Sequence, residues 1–262
     1  MLKIKEYVKA ESLEQAYELN QKKSTCILGG MLWLKMSNRT FQKAVDLSGL
    51  GLDQIEETEE EFSIGAMVTL RQLEQHQRFN EFCQGIAAES VKSIVGVQFR
   101  NMATVGGSIF GRFGFSDVLT CFLALDTYVE LYHGGIIPLE EFAKQPYDRD
   151  ILVRLIVKKT NVQCVYLTHR NTKTDFPVLT CAVSSLGEKG YAVIGARPGR
   201  AVRIELPDHW EQEEDCRELA VRIAQQTTYG SNMRASAAYR KHLAEVLLVR
   251  SMKKLAQERR GH

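Results

Sequence analysis

The chain has 262 residues, 44% of them hydrophobic, 25% charged and only 5 of them proline, a composition typical of a soluble globular protein. Its 34 basic and 32 acidic residues leave a net charge of +2, which argues against a nucleic-acid-binding or membrane-surface protein because neither sign dominates. The length allows one large domain or two to three smaller ones.

The N-terminal stretch is too charged for a signal-peptide core, and no run of roughly 18 apolar residues follows it. We therefore expect a cytoplasmic protein with no membrane and no nucleic acid among its partners. The six cysteines lie singly, without a C-x-x-C motif, which favours reduced, buried thiols over disulfides, a zinc site or an iron–sulfur cluster. Any iron–sulfur centre would belong to another chain.

The first elements alternate between helix and strand. Ser12 and Gln15 form a capping box that predicts a helix, and "TCILGG" predicts a buried strand that ends at Gly29 and Gly30. "AVDLSGL" predicts a second short strand.

The acidic run "EETEEE" predicts a solvated loop, and "FSIGAMVT" predicts the strand after it. A second capping box, Thr69 with Gln72, predicts the next helix. From Val118 to Leu131 an apolar segment predicts a helix followed by a strand, and "ILVRLIVKK" predicts another strand.

The polar stretch at residues 159–161 is the expected boundary between domains at 1–160 and 161–262. Beyond it, "VQCVYLT", "VLTCAVSSL" and "YAVIGA" predict three strands of an antiparallel sheet. Two helices follow, over "DHWEQEEDCRELAVRIAQQ" and "ASAAYRKHLAEVLLVRSMKKL". The predicted class is therefore α+β rather than a doubly wound sheet.

Several common site motifs are missing from the chain. It has no Rossmann G-x-G-x-x-G before a helix, no P-loop, no H-E-x-x-H and no G-x-S-x-G, and its six histidines share no ligand-like spacing. We therefore expect no metal ligands and no acid–base or nucleophilic residue.

Two glycine pairs remain, in "CILGGMLWL" and "ATVGGSIF", each directly after a short apolar run. Such a pair most often marks an ordinary turn. Glycine also lets backbone approach a ligand closely, and successive N–H groups in a turn can bind an anion. Two such turns would suit the two phosphates of a dinucleotide, with Asp117 available to accept hydrogen bonds from ribose hydroxyls and Ser108 and Ser116 available to bond phosphate or ribose oxygens.

In these stretches, in "FRNMATVGGSIF", and in the run R-x-S-x-x-Y-R from Arg234 to Arg240, the chain resembles the FAD-binding subunits of the xanthine dehydrogenase and carbon monoxide dehydrogenase family of molybdenum hydroxylases. The resemblance extends from Tyr7 to about Leu255, and the length is similar to that of small flavoprotein subunits of bacterial xanthine dehydrogenase-type enzymes. It implies a two-part FAD-binding domain, with subdomains at about 1–56 and 57–160, and a small C-terminal domain.

The resemblance also implies two FAD-binding loops and an adenosine-binding pair. The residues that match the family positions are Leu28, Gly29, Gly30, Met31 and Leu32 in the first loop, Thr104, Gly106, Gly107 and Ser108 in the second, and Ser116 with Asp117 at the adenosine half. Arg100 and Asn101 match the pair that precedes the second loop, and Arg170 and Asp175 fall in a segment that the family places near the flavin.

The chain departs from the family at four of its positions. Relatives commonly have threonine and a polar residue where Met31 and Leu32 stand, asparagine where Ser108 stands, and a lysine near Tyr166. The first departure removes a hydroxyl contact to phosphate but leaves the main-chain donors.

The resemblance implies a subunit whose FAD takes electrons from iron–sulfur clusters in one partner subunit, fed by a molybdenum cofactor in another, and passes them to NAD or another acceptor. One alternative is a scaffold with weak or lost FAD binding that serves assembly. Another is a self-sufficient flavin reductase of the same superfamily, for which the chain shows no catalytic acid.

Overall fold

The computed structural model describes residues 1–208, 210 and 216–260. The chain forms two compact units, each built from three separate segments. Unit 1 comprises Met1–Leu73, Val97–Gly111 and Thr127–Val157, and unit 2 comprises Glu74–Gly96, Arg112–Asp126 and Lys158–His262. The units therefore interleave along the sequence, and the expected division at residue 160 stays a prediction.

Strands and helices alternate along the first half of the chain, and strands dominate the stretch after it. The strands are β1 (Lys3–Lys9), β2 (Thr25–Leu28), β3 (Thr40–Asp46), β4 (Ile55–Glu57), β5 (Glu61–Gly65), β6 (Thr127–Leu131), β7 (Gly135–Pro138), β8 (Leu152–Lys158), β9 (Val162–His169), β10 (Leu179–Leu186), β11 (Lys189–Gly195) and β12 (Val202–Glu205). The helices are α1 (Leu13–Asn20), α2 (Leu70–Gln75), α3 (Gln77–Phe82), α4 (Ile86–Val91), α5 (Val97–Arg100), α6 (Val105–Phe110), α7 (Asp117–Leu123), α8 (Leu139–Lys144), α9 (Cys216–Gln226) and α10 (Ala237–Arg260), with a 3₁₀ turn at Leu34–Met36.

Unit 1 contains a three-stranded sheet in the order β1-β3-β2, in which both outer strands run parallel to β3. The helix that links β1 to β2 begins as predicted, since the Gln15 N–H donates to Ser12 Oγ at 3.1 Å. Strand β1 was not predicted from the sequence, because its polar side chains face outward from a sheet edge and give it little apolar pattern.

The second sheet of unit 1 has the order β4-β5-β8-β6-β7. The loop expected over "EETEEE" is confined to residues 58–60, because β4 and β5 pair antiparallel and the two ends of this acidic run belong to the strands. The turn holds because the N–H groups of Glu60 and Glu61 donate to Thr58 Oγ1 at 3.2 and 3.1 Å. The second capping box is confirmed, with reciprocal bonds between Thr69 and Gln72.

Unit 2 carries the predicted antiparallel sheet, in the order β12-β11-β10-β9. One strand, β12, was not predicted. Helix α10 packs against β9 and β10, helix α9 packs against α10, and Val183, Ile194, Trp210 and Leu248 lie in this core. The predicted helix over "DHWEQEEDC" is described only from Cys216, because residues 209 and 211–215 lie outside the described part of the chain. The α+β class is confirmed.

Candidate functional site

The first glycine loop lies in unit 1, where β2 ends. Strand β2 pairs with β3 as far as Leu28 opposite Asp46, and the chain then turns through Gly29 and Gly30 into the 3₁₀ turn. Met31 has a φ of 59°, in the left-handed region that costs a non-glycine residue about 1–2 kcal/mol. The backbone therefore holds an unusual conformation at the loop centre.

The main-chain donors of this loop are available to a ligand. Within the described part of the chain, the N–H groups of Gly30, Met31 and Leu32 donate to no protein acceptor. Main-chain N–H groups are almost always paired when they are shielded from water, and Leu32 is buried. Successive donors of this kind bind anions, so the loop suits a phosphate.

The two glycine segments lie against each other within unit 1. A Cβ added to Gly30 would stand 1.8 Å from the Met102 carbonyl oxygen, and one added to Gly29 would stand 2.9 Å from Thr104 Oγ1. No side chain fits at Gly30, because backbone occupies its place. The structure thus brings together the residues predicted for the first and second loops, Leu28 to Leu32 and Thr104 to Ser108.

The second glycine pair forms a helix start rather than a second glycine turn, so that expectation is wrong. Thr104 caps α6, and the Gly107 N–H donates to its Oγ1 at 3.1 Å. The N–H groups of Val105 and Gly106 donate to the carbonyls of Val68 and Ala66, each at 2.8 Å. These main-chain donors are therefore already engaged.

Side chains in the second segment serve the helix as well. Ser108 Oγ donates to the Thr104 carbonyl at 2.9 Å. The Thr104 hydroxyl accepts the Gly107 bond, which leaves its own hydrogen outside that bond. Gly106 is required because an added Cβ would lie 2.6 Å from the Ala66 carbonyl oxygen. The second segment could therefore offer a ligand the Thr104 hydroxyl, and its backbone packs closely against the first glycine loop.

Ser116 and Asp117 lie in unit 2, at the start of α7. Ser116 is the N-cap, and its Oγ accepts the Leu119 N–H at 3.0 Å. Asp117 is buried, and its Oδ1 accepts bonds from the Tyr166 hydroxyl at 2.6 Å and from Arg170 Nη2 at 2.5 Å. The predicted ribose role of Asp117 stays a prediction, and in this structure its carboxylate is bonded within unit 2.

Burial controls the protonation of this pair. Desolvation raises the pKa of the Asp117 carboxyl, and the charge of Arg170 opposes that rise. Desolvation raises the pKa of Tyr166 well above its usual value, and Asp117 adds to the rise. The phenol is therefore a permanent donor at neutral pH.

The network continues to the other two residues predicted in this unit. Arg170 Nη1 donates to the Asp175 carbonyl at 2.5 Å, and the Asp175 carboxylate pairs with Arg234 at 2.8 Å. The hydrogen bond from Arg234 lowers the pKa of Asp175. The pairings of Tyr166 and Arg234 leave no local pattern in the sequence, because their partners lie 49 and 59 residues away along the chain.

Arg100 lies buried at the end of α5, and Asn101 follows it directly. Among the described residues, no group of histidine, cysteine and carboxylate side chains is arranged to hold a metal ion. In the same residues, no helix is long and apolar enough to cross a membrane.

The chain is similar to several known proteins along most of its length. The uncharacterised protein YgfM of Escherichia coli (strain K12) is 27% identical over 250 residues, which is 94% of each chain. Quinoline 2-oxidoreductase from Pseudomonas putida 86 has a chain of the same fold, with a TM-score of 0.82 at 19% identity over 97% of both chains. A chain of carbon monoxide dehydrogenase from Hydrogenophaga pseudoflava gives a TM-score of 0.83 at 19% identity, over 95% of this chain and 96% of that one.

The family match covers the two glycine segments and more than half of the chain. Residues 2–162 match the FAD binding domain in molybdopterin dehydrogenase. The resemblance seen in the sequence is thereby confirmed, and the chain carries an FAD-binding domain. This protein belongs to the family of FAD-binding domains of molybdopterin dehydrogenases.

Proposed function

We propose that this protein is the FAD-carrying, electron-transferring subunit of a xanthine dehydrogenase-type molybdenum hydroxylase. Its partners would be an iron–sulfur subunit and a molybdenum cofactor subunit, and the latter would hydroxylate a purine or related heterocycle. Bound flavin supplies the exchange between one-electron carriers and a two-electron acceptor such as NAD. The heterocycle and the acceptor rest on the sequence resemblance.

The observation that carries the FAD assignment is the set of unpartnered donors in the first loop. The N–H groups of Gly30, Met31 and Leu32 would hold the diphosphate. Because Gly30 has no side chain, both the Met102 backbone and a ligand can approach its main chain closely. Thr104 would add its hydroxyl hydrogen. The residues present thus fit a diphosphate through main-chain donors.

These residues do no chemistry on the substrate. Their part is to bind and orient the cofactor, since backbone packing fixes the loop and Thr104 caps α6. Because their donors are not titratable, we expect diphosphate binding to change little across neutral pH.

A second candidate function is favoured by the second glycine segment. Its main-chain N–H groups from Val105 to Ser108 are all engaged within the protein, which leaves fewer donors for a dinucleotide than the sequence predicted. A chain with weak FAD affinity would then serve assembly of the complex.

The test is calorimetric titration of the purified chain with FAD, together with Gly30→Ala and the matched control Gly49→Ala. At Gly30 the new Cβ meets the Met102 backbone, whereas at Gly49 the nearest atom is the flexible Lys9 Cε at 2.8 Å. We expect the wild type and G49A to bind FAD and G30A to bind it at least tenfold more weakly. Circular dichroism checks that G30A is folded.

Titrating the wild type with other ligands tests the diphosphate site without any substitution that could disturb folding. FMN, which has a single phosphate and no adenosine, should bind the wild type at least tenfold more weakly than FAD, and ADP should compete with FAD. A wild-type chain that binds no FAD, yet co-purifies with iron and molybdenum, would overturn the electron-transfer role in favour of assembly. Bleaching of the flavin in the purified complex by a purine would test the substrate class.

A further inference from the structure

We propose that Lys35 is a further ligand-binding residue, whose ammonium group supplies the positive charge opposite the diphosphate held by the first glycine loop. This inference rests on the proposed FAD function and deepens it, because it names a side chain that favours an anionic ligand. Neither the glycine motif nor the family match assigns Lys35 a role.

Lys35 is the sole charged side chain in the stretch around the first loop. From residue 25 to residue 38 every other side chain is uncharged at neutral pH, and so is every side chain of the second glycine segment from Asn101 to Gly111. Arg100, which borders that segment, is 5% exposed, whereas Lys35 is exposed. The diphosphate of FAD is a dianion, and the main-chain donors that would hold it are neutral. Within these stretches Lys35 is therefore the exposed side chain that can offset the ligand charge.

The backbone places Lys35 one helical turn after the centre of the loop. Its N–H donates to the Met31 carbonyl at 2.9 Å, and it lies in the 3₁₀ turn Leu34–Met36. In a helical turn the Cα–Cβ bond tilts toward the N-terminal end, which here is the side of the loop donors. One turn rises about 5–6 Å, a distance that the flexible four-carbon stem of lysine spans.

The ammonium group of Lys35 is available to a ligand. Within the part of the chain that the structure describes, this side chain makes no ion pair or hydrogen bond. Lys43 in the neighbouring sheet, by contrast, is paired with Glu6 at 2.6 Å. A solvated lysine is common on a protein surface, so the indication of a ligand is the position of Lys35 beside three unpartnered main-chain donors.

A nearby carboxylate increases the need for a positive charge at this loop. Asp46 lies opposite Leu28, the residue before the first glycine, and its carboxylate accepts the Tyr7 hydroxyl at 2.6 Å. An ionised carboxylate at this end of the strand disfavours a second anion close to it. A lysine ammonium binds phosphate as a compact point charge, and its contact with the diphosphate would offset that repulsion.

The experiment measures FAD affinity by calorimetry in Lys35→Arg, Lys35→Met and Lys35→Glu, with Lys23→Glu as the matched control. Lys23 is also exposed, but it precedes β2 and so lies at the opposite end of that strand from the loop. We expect K35R to bind FAD within about threefold of the wild type, K35M roughly tenfold more weakly, and K35E more weakly still because its carboxylate repels the diphosphate. K23E should bind as the wild type does.

Salt distinguishes an electrostatic contact from a purely structural role. Raising the ionic strength from about 0.1 M to about 1 M shortens the screening length from about 10 Å to about 3 Å. The wild type should therefore lose FAD affinity with salt, and K35M should lose much less. Inorganic pyrophosphate should also compete with FAD more strongly on the wild type than on K35M. If K35M bound FAD weakly but kept the salt dependence of the wild type, Lys35 would not contact the diphosphate and the proposal would be wrong.

The G30A variant separates this proposal from the FAD function itself. Unchanged FAD affinity in K35E, with binding weakened in G30A, would overturn the role of Lys35 and leave the FAD function standing. Equal losses in K35E and K23E would also overturn it, because the effect would then come from net charge alone. Absence of FAD binding by the wild type would overturn both proposals.

Discussion

The hydroxyl of Tyr166 donates to the carboxylate of Asp117 at 2.6 Å, across 49 residues of sequence, in the interior of unit 2. The same oxygen accepts the guanidinium of Arg170 at 2.5 Å, and the side chains of Arg170 and Asp117 are 7% and 4% exposed. The start of α7 is thus tied to β9 and to the residue that follows it. Removing either partner would leave the buried Asp117 carboxylate without one of its charge-assisted hydrogen bonds and would destabilise the fold.

The first prediction concerns this network. Arg170→Met should lower the free energy of unfolding by about 3–5 kcal/mol, because it leaves a buried carboxylate without its counter-charge. Tyr166→Phe should cost about 1.5–3 kcal/mol, the range for a hydrogen bond to a charged group. Urea unfolding measures both.

The matched control is the partly exposed pair of Asp175 and Arg234. Asp175→Asn should cost about 1 kcal/mol or less, because solvent screens that pair. If D175N and R170M lowered the free energy of unfolding equally, burial would not be the reason for the larger contribution of the Asp117 pair.

The second prediction concerns Gly195, at the end of β11. A Cβ there would lie 2.2 Å from Thr120 Oγ1 and 2.5 Å from Thr180 Oγ1, two hydroxyls that bond each other at 2.9 Å. Gly195→Ala should therefore destabilise unit 2 by about 1–3 kcal/mol through overpacking. Gly199→Ala is the control, since its nearest atom is the Arg197 side chain at 3.3 Å. Thermal unfolding should show a lower Tm for G195A than for G199A.

The third prediction concerns the cap of α6. Thr104→Ala removes the oxygen that accepts the Gly107 N–H and should cost about 1 kcal/mol, whereas Thr104→Ser keeps that oxygen and should cost less. If the hydroxyl also reaches the diphosphate, T104A should lose FAD affinity and T104S should retain it. If T104A and T104S both bound FAD as tightly as the wild type, the role of Thr104 would be limited to capping the helix.

The fourth prediction is a pH dependence that originates in the thiol of Cys83. Burial raises its pKa from 9.0 to about 11, so the folded state favours the protonated thiol. The stabilisation is complete below pH 9 and is lost as the pH rises toward 11, because the unfolded chain ionises first. Two pKa units correspond to about 3 kcal/mol.

The measurement compares the wild type with Cys83→Ala in denaturant titrations across this alkaline range. Subtracting the two free energies of unfolding at each pH removes the contribution of the groups that Cys83 does not affect. A stability difference that stays constant with pH would show that this thiol does not titrate as its burial requires.

Short-range patterns determined much of the architecture. The capping boxes at Ser12 and Thr69 predicted helix starts that the structure confirms, because a cap is a bond between residues three apart. The apolar runs of β9 to β11 predicted an antiparallel sheet for the same reason, since strand periodicity is local. The turn that follows β2 was also predicted, from a glycine pair at the end of a short apolar run.

Only the tertiary structure decided what the matching residues do. The second glycine pair begins a helix, because the carbonyls of Ala66 and Val68, nearly forty residues earlier, take up its donors. The sequence predicted that Asp117 bonds a ribose, and only the folded unit shows that its carboxylate accepts bonds from Tyr166 and Arg170. Hydrogen bonds satisfied across long sequence separations leave no local pattern. The sequence therefore identified the family and predicted the first glycine turn, and the folded chain decided which main-chain donors remain for a ligand.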